Sequence, residues 1–137
     1  MLSVINGKYR SGIPDLYMGV VDVRDVANAH ILAGTHSAAS GRHILVADTL
    51  TFLEIANILK KKYSKYPLPK GRAPKFMLYV IGPLQGLSWK YIKLNVGIPI
   101  EFDNSYSKKD LGIEYILIEN TLNDHVEQIL KDGLLNK

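Results

Sequence analysis

Strand-forming sequence is scarce in this chain, and that scarcity constrains its fold more than any other feature. Only three stretches have the short apolar or alternating runs that strands use: Met18 to Val23, His43 to Ala47 and Ile100 to Asp103. His43-Ile-Leu-Val-Ala47 is apolar almost throughout, as expected of a strand covered on both faces with a neighbour beside it. Three such strands make a thin sheet for 137 residues, so the chain reads as part of a larger sheet.

The rest of the pattern is helical. Asp25 is placed to cap a helix carrying Val26, Ala27, Ala29, His30, Ile31 and Ala33, with Gly34 as its stop. Thr51 and Glu54 form a capping box before Phe52, Ile55, Leu59 and Tyr63, which recur at helical spacing. Lys60, Lys61 and Lys62 suit the C-terminal dipole of that helix, and Tyr66-Pro67-Leu68-Pro69 ends it in an extended linker. Phe76 to Val96 reads as helix broken near Gly82-Pro83, and Gly97-Ile98-Pro99 closes it. Asn104 or Ser105 caps a short helix that runs through Lys109, Asp110 and Leu111 and stops at Gly112. Ile118 to Thr121 opens an amphipathic helix with Leu122, Val126, Ile129 and Leu130 inward, closing at Gly133. The opening alternation of strand and helix indicates an α/β fold, helix-rich with few short strands and an incomplete sheet.

Composition narrows the function classes. Hydrophobic residues are 47% and charged residues 22%, ordinary for a globular chain and unlike a disordered one. With no cysteine there is no disulfide framework, thiolate metal site or cysteine nucleophile, and a reducing, cytoplasmic setting is expected. Phe76 to Leu87, the longest apolar run, is too short to span a bilayer. No secretory signal reads from Met1 to Lys8, and Leu2 to Lys8 resembles the tail of a helix already in progress. His30, His36, His43 and His125 show no metal-ligand spacing. The stretch Lys60 to Lys75 interleaves cations with Tyr63 and Tyr66, as nucleic-acid binders do. A net charge of +4 is low for that role, so a solvated helix end is the simpler reading and no nucleic acid or membrane partner is expected.

Val21-Asp-Val-Arg-Asp-Val-Ala-Asn-Ala-His30 resembles a signature of the extended short-chain dehydrogenases of the epimerase/dehydratase superfamily. The nearest likeness is to the dihydroflavonol reductase and cinnamoyl-CoA reductase group and its aldehyde-reductase relatives. Gly41 to Ala47, Thr51 to Ala56, Tyr66 to Pro69 and Asn104 to Gly112 resemble later segments of that family in the expected order. The resemblance implies the C-terminal, substrate-side portion of a Rossmann-type enzyme, one region over residues 1–137. It implies NADP or NAD as cofactor, held by an N-terminal half with a glycine-rich turn, and no GxGxxG or GxxGxxG occurs here. The family's proton donor is a helical Tyr-x-x-x-Lys. Tyr66 with Lys70 is the one literal match, and Pro67 and Pro69 forbid the helix that makes the spacing useful.

No catalytic, cofactor-binding or metal residue is therefore expected within the chain. By resemblance, the loop from Tyr9 to Met18 lies against substrate, so Tyr9, Pro14, Tyr17 and Met18 are pocket candidates. Arg24, between Asp22 and Asp25, is a candidate for the pocket wall. Trp89, Tyr91 and the apolar run before them read as a packing face rather than a lid or pocket wall. The function implied is the substrate-binding portion of an NAD(P)-dependent reductase of small carbonyl compounds, not catalytic alone. The alternative is a truncated, self-associating binding module. A reductase piece must cover its exposed sheet edge, with the missing Rossmann half or with a second copy.

Overall fold

A carboxylate at the first strand-to-helix junction decides where the opening elements begin and end. The structure, a computed structural model, describes residues 1–135. Its elements are α1 (Leu2–Ile5), β1 (Tyr17–Val20), α2 (Val23–Thr35), β2 (Asp48–Thr51), α3 (Phe52–Tyr63), α4 (Lys75–Ile81), a 3-10 turn (Pro83–Gln85), α5 (Trp89–Asn95), α6 (Ser105–Leu111) and α7 (Ile118–Lys131). Asp22, not Asp25, is the N-cap of α2, because its side chain accepts from the Arg24 amide at 2.9 Å. That cap starts the helix at Val23 and cuts β1 short at Val20. Asp25 lies in the first turn of α2, buried, and accepts from the Ile116 amide at 2.9 Å.

The sheet is thinner than the sequence indicates. β1 pairs antiparallel with β2, with Tyr17 opposite Thr51 and Val20 opposite Asp48. His43 to Ala47 is not a strand among the described residues, and neither is Ile100 to Asp103. A strand requires a backbone partner, and pairing with β1 falls instead to Asp48–Thr51. The 43–47 segment is held by other means. The Ala47 amide donates to the Val20 carbonyl at 2.8 Å, and the Asn104 side-chain amide donates to the Val46 carbonyl at 2.6 Å. His43 stacks on Tyr106 with ring centroids 4.9 Å apart, and its Nε2 lies 2.6 Å from Asp110 on α6. Ile44 stays about half exposed, as do Ile100 and Phe102.

Most helices follow their sequence signals, but Gly34 does not stop α2, which runs on to Thr35. Thr51 and Glu54 form the full capping box: the Glu54 amide donates to Thr51 Oγ1 at 3.2 Å, and the Thr51 amide donates to Glu54 at 2.7 Å. The bonds that the Thr51 amide and hydroxyl donate to it hold the Glu54 carboxyl below its ordinary value. α3 presents Ile55, Ala56, Leu59 and Tyr63 to α7, which answers with Leu122 and Val126; Val4, Ile5, Ile13 and Leu68 complete this main core. Lys61 and Lys62 pair across the seam with Glu119 and Glu127. Leu130, expected inward, is 37% exposed, because Leu122, Val126 and Ile129 already fill the buried face of α7. Two smaller clusters flank the main core. Ala73, Leu78, Ile92 and Val96 join α4 to α5, and Ala29, Leu111 and Ile113 join α2 to α6. Glycines in left-handed backbone close α6 and α7, at Gly112 (φ 63°) and Gly133 (φ 65°).

Candidate functional site

An apolar cleft opens between the loop of residues 8–14 and the hairpin of α4 and α5. The loop is pinned along its length. The Ile13 amide donates to the Gly71 carbonyl at 3.1 Å, and the Ala73 amide donates to the Ile13 carbonyl at 2.8 Å. Gly12 lies so close to Ala73 that a Cβ there would sit 3.2 Å from the Ala73 backbone. Farther on, the Gly97 amide donates to the Asp15 carbonyl at 2.7 Å, and the Asp15 carboxylate lies 3.3 Å from Arg72.

The opposite wall owes its shape to Gly82-Pro83. Proline cannot donate to an α-helical ladder, so α4 ends there and a short 3-10 turn reverses the chain. Gly82 packs so tightly that a Cβ there would sit 2.7 Å from Ile92, which draws α4 onto α5. Ser88 then caps α5 by accepting from the Tyr91 amide at 3.1 Å.

Between these walls lies a cavity of about 120 Å³. Tyr9, Gly12 and Pro14 line one side, and Met77, Leu78, Ile81 and Leu87 the other. Lys8 and Ser11 supply its polar groups. A concave, mostly apolar site with a few polar groups is the form that small-molecule sites take, and this one suits a small ligand.

Two of the five residues singled out in the sequence therefore meet at one cleft, Tyr9 and Pro14. Tyr17 and Met18 belong to β1; Tyr17 pairs with Thr51, and Met18 packs on the main core. Arg24 lies elsewhere, its guanidinium bound to Asp22 and Asp124, each at 2.7 Å, and its side chain more than half exposed. The pairing holds the Asp22 carboxyl far below the usual carboxylate range, chiefly through the Arg24 side chain, and raises the Arg24 guanidinium in turn. Met77, Ile81 and Leu87 belong to the apolar run read in the sequence as a packing face; they line the cleft instead. Trp89 and Tyr91 do not form a packing face: they are 66% and 42% exposed, while Ile92 and Val96 are buried. The Trp89 indole donates to the Tyr79 carbonyl at 3.1 Å.

The segment from Tyr66 to Lys70 is non-helical, with Leu68 and Pro69 buried, so its tyrosine and lysine do not share a helix face. Among the described residues, no three His, Asp or Glu side chains converge as metal ligands do, and no helix is long and apolar enough to cross a membrane.

No family model matches the chain. A cinnamoyl-CoA reductase of Medicago truncatula is 31% identical over 136 residues, which is 99% of this chain and 35% of that protein. An NADPH-dependent methylglyoxal reductase of Saccharomyces cerevisiae is 32% identical over 120 residues, 87% of this chain and 31% of its own length. The solved structure of yeast methylglyoxal/isovaleraldehyde reductase with NADPH matches with a TM-score of 0.68 and 28% identity, over 96% of this chain and 34% of that one. The structure of gox2253 matches with a TM-score of 0.77 over 98% of this chain and 43% of its own; at 16% identity it speaks for the fold alone. The chain thus spans about a third of the length of the curated relatives it matches. Over about a third of their length, this chain matches relatives of the extended short-chain dehydrogenase/reductase family in both sequence and fold.

Proposed function

We propose that residues 1–137 form the substrate-binding portion of an NADPH-dependent reductase of small carbonyl compounds, working in the cytoplasm. The apolar cleft between Tyr9 and Leu87 carries this reading. Such a pocket selects by shape and by exclusion of water, while the cofactor performs the chemistry.

The helix starts that follow β1 and β2 do not fit the dinucleotide. In Rossmann-type folds its pyrophosphate sits on free amides at a helix N-terminus. The Asp22 carboxylate already occupies the start of α2, and the Thr51–Glu54 box occupies the start of α3. Both place an anion where the phosphates would sit, so no hydride-transfer step runs through these residues.

The test is a chimera in which this chain replaces the matching third of the yeast methylglyoxal reductase. NADPH consumption is then followed with small aldehydes and ketones. Turnover with a substrate preference that moves with the chain is expected. A chimera that binds NADPH and reduces no carbonyl would overturn the reading.

A second reading has one observation in its favour. Ile44, Ile98, Ile100 and Phe102 are each about 40–50% exposed. Such apolar surface favours a covering partner, the Rossmann half or a second copy of the chain. A concentration-dependent dimer in sedimentation, with no activity in the chimera, would favour the self-associating module.

A further inference from the structure

The long basic stretch is not uniformly solvated; the fold sorts its cations into two groups. Lys61 and Lys62 are neutralised by Glu119 and Glu127, and Arg72 by Asp15. Lys75 donates to the Val96 carbonyl at 2.7 Å. The cations left over are Lys60, Lys65 and Lys70, and all three line one cleft together with Arg10 from the opposite loop. The cleft has a volume of about 310 Å³, and Ser64 and Tyr66 also line it. No carboxylate lines it, and among the described residues none of the four cations has one within ion-pair distance.

Four like charges facing one concavity repel each other, and a helix terminus does not balance them. The C-terminal end of α3 contributes the equivalent of only about half a negative charge. The missing counter-charge has to come from a ligand or from dissolved ions. Arg10 comes from the loop of residues 8–14, and Lys60, Lys65 and Lys70 from α3 and the segment after it, so two parts of the chain supply the cations, which suits an anion with charge at several points. The Ser64 hydroxyl can donate to an anionic oxygen. Tyr66, Pro67 and Leu68 offer an apolar surface beside it.

We infer that the cleft formed by Arg10, Lys60, Lys65 and Lys70 is a binding site for a small diphosphate-bearing anion. It is separate from the apolar cleft, because Tyr9 and Leu87 lie in one set of walls and Lys60 and Lys65 in the other. The inference does not depend on carbonyl reduction.

The experiment is calorimetric titration of the chain at low salt with inorganic pyrophosphate, and in parallel with ADP. Saturable one-to-one binding that weakens with added salt is expected. Tighter binding of ADP would assign the site to a nucleoside diphosphate; equal binding would assign it to the diphosphate group itself. Lys60→Ala, Lys65→Ala and Lys70→Ala should each weaken binding by about twofold to fivefold, the upper part of the range for losing one exposed charge contact. Lys61→Ala is the control, since it removes the same unit of charge from a lysine already paired with Glu119. All four side chains are exposed, so the folded state is retained, and thermal melts of each variant check this. Absence of saturable binding would overturn the inference, as would Lys61→Ala weakening it as much as the others. So would an oligothymidylate that binds far tighter and is not displaced by pyrophosphate, since that marks an extended nucleic-acid surface.

Discussion

Asp22 holds Arg24 through three hydrogen bonds, accepting from its backbone amide at 2.9 Å, its Nε at 2.9 Å and its Nη2 at 2.7 Å. The same buried carboxylate accepts from the Thr121 hydroxyl at 2.8 Å, so one side chain caps α2 and fastens α7 to it. Asp22→Ala should cost about 2–4 kcal/mol of unfolding free energy, because several charge-assisted bonds are lost and the Thr121 hydroxyl is left without its partner. Arg24→Ala should cost clearly less, since its guanidinium is more than half exposed. Urea unfolding of the two variants measures this. Equal losses would mean that the ion pair, not the cap and the Thr121 bond, carries the effect.

Acid should weaken the fold partly through the same group. Hydrogen bonds from the Arg24 side chain and amide and from Thr121, opposed by burial, lower the Asp22 carboxyl in the folded state. A lowered folded value means that the contribution is complete above the ordinary aspartate pKa of about 3.9 and is lost as pH falls through the folded value. Asp110, lowered chiefly by its bond to His43, and Glu54, lowered chiefly by the Thr51 amide, act in the same direction. In acid titrations of stability, Asp22→Asn should therefore show a shallower decline than the parent below pH about 4. Parallel curves would remove Asp22 from the account.

The capping box should be worth about 1 kcal/mol, the usual value of an N-cap hydroxyl. Thr51→Ala removes the acceptor of the Glu54 amide, whereas Thr51→Ser keeps it. The unfolding free energies of the two variants should differ by that amount, with serine the more stable, since both lose the same buried methyl group.

Two glycines should respond in opposite directions to alanine. Gly7 has φ +79°, and a Cβ there would meet Pro67 at 2.7 Å, so Gly7→Ala should cost about 1–3 kcal/mol through backbone strain and overpacking. Gly34 lies within α2 with nothing within 4 Å of its would-be Cβ, so Gly34→Ala should stabilise by about 0.5–1 kcal/mol. Thermal melts of both variants give the signs directly.

The apolar cleft makes a prediction in the chimeric reductase. Ile81→Trp narrows the opening between the α4 wall and Pro14. It should lower kcat/KM for a bulky carbonyl more than for a small one, by about tenfold, and leave NADPH affinity unchanged. Equal effects on both substrates would place the selective surface elsewhere.

Local signals were legible because their causes are local. The Thr51–Glu54 box, the Pro67–Pro69 linker, the Gly82-Pro83 break and the stops at Gly112 and Gly133 each involve residues a few positions apart. The junction at Asp22 misled for the same reason: two aspartates three residues apart both suit a cap. The choice between them rests on distant groups, Thr121 for Asp22 and the Ile116 amide for Asp25. Tyr17 and Met18 lie in β1, where strand pairing, not loop position, sets where their side chains go.

Sequence alone determined most of the helices, the Thr51–Glu54 box, the Gly82-Pro83 break, the stops at Gly112 and Gly133, and the family likeness carried by Val21 to His30, since all depend on short-range chemistry and residue order. Tertiary structure decided that His43 to Ala47 is no strand, because a strand exists only against a partner. It also decided that Tyr9 and Pro14 face Met77 and Leu87, and that Lys60, Lys65 and Lys70 gather opposite Arg10 while Lys61 and Lys62 are neutralised. Those groupings join residues far apart in the chain, and only the packing of α3 on α7 and of α4 on α5 brings them together.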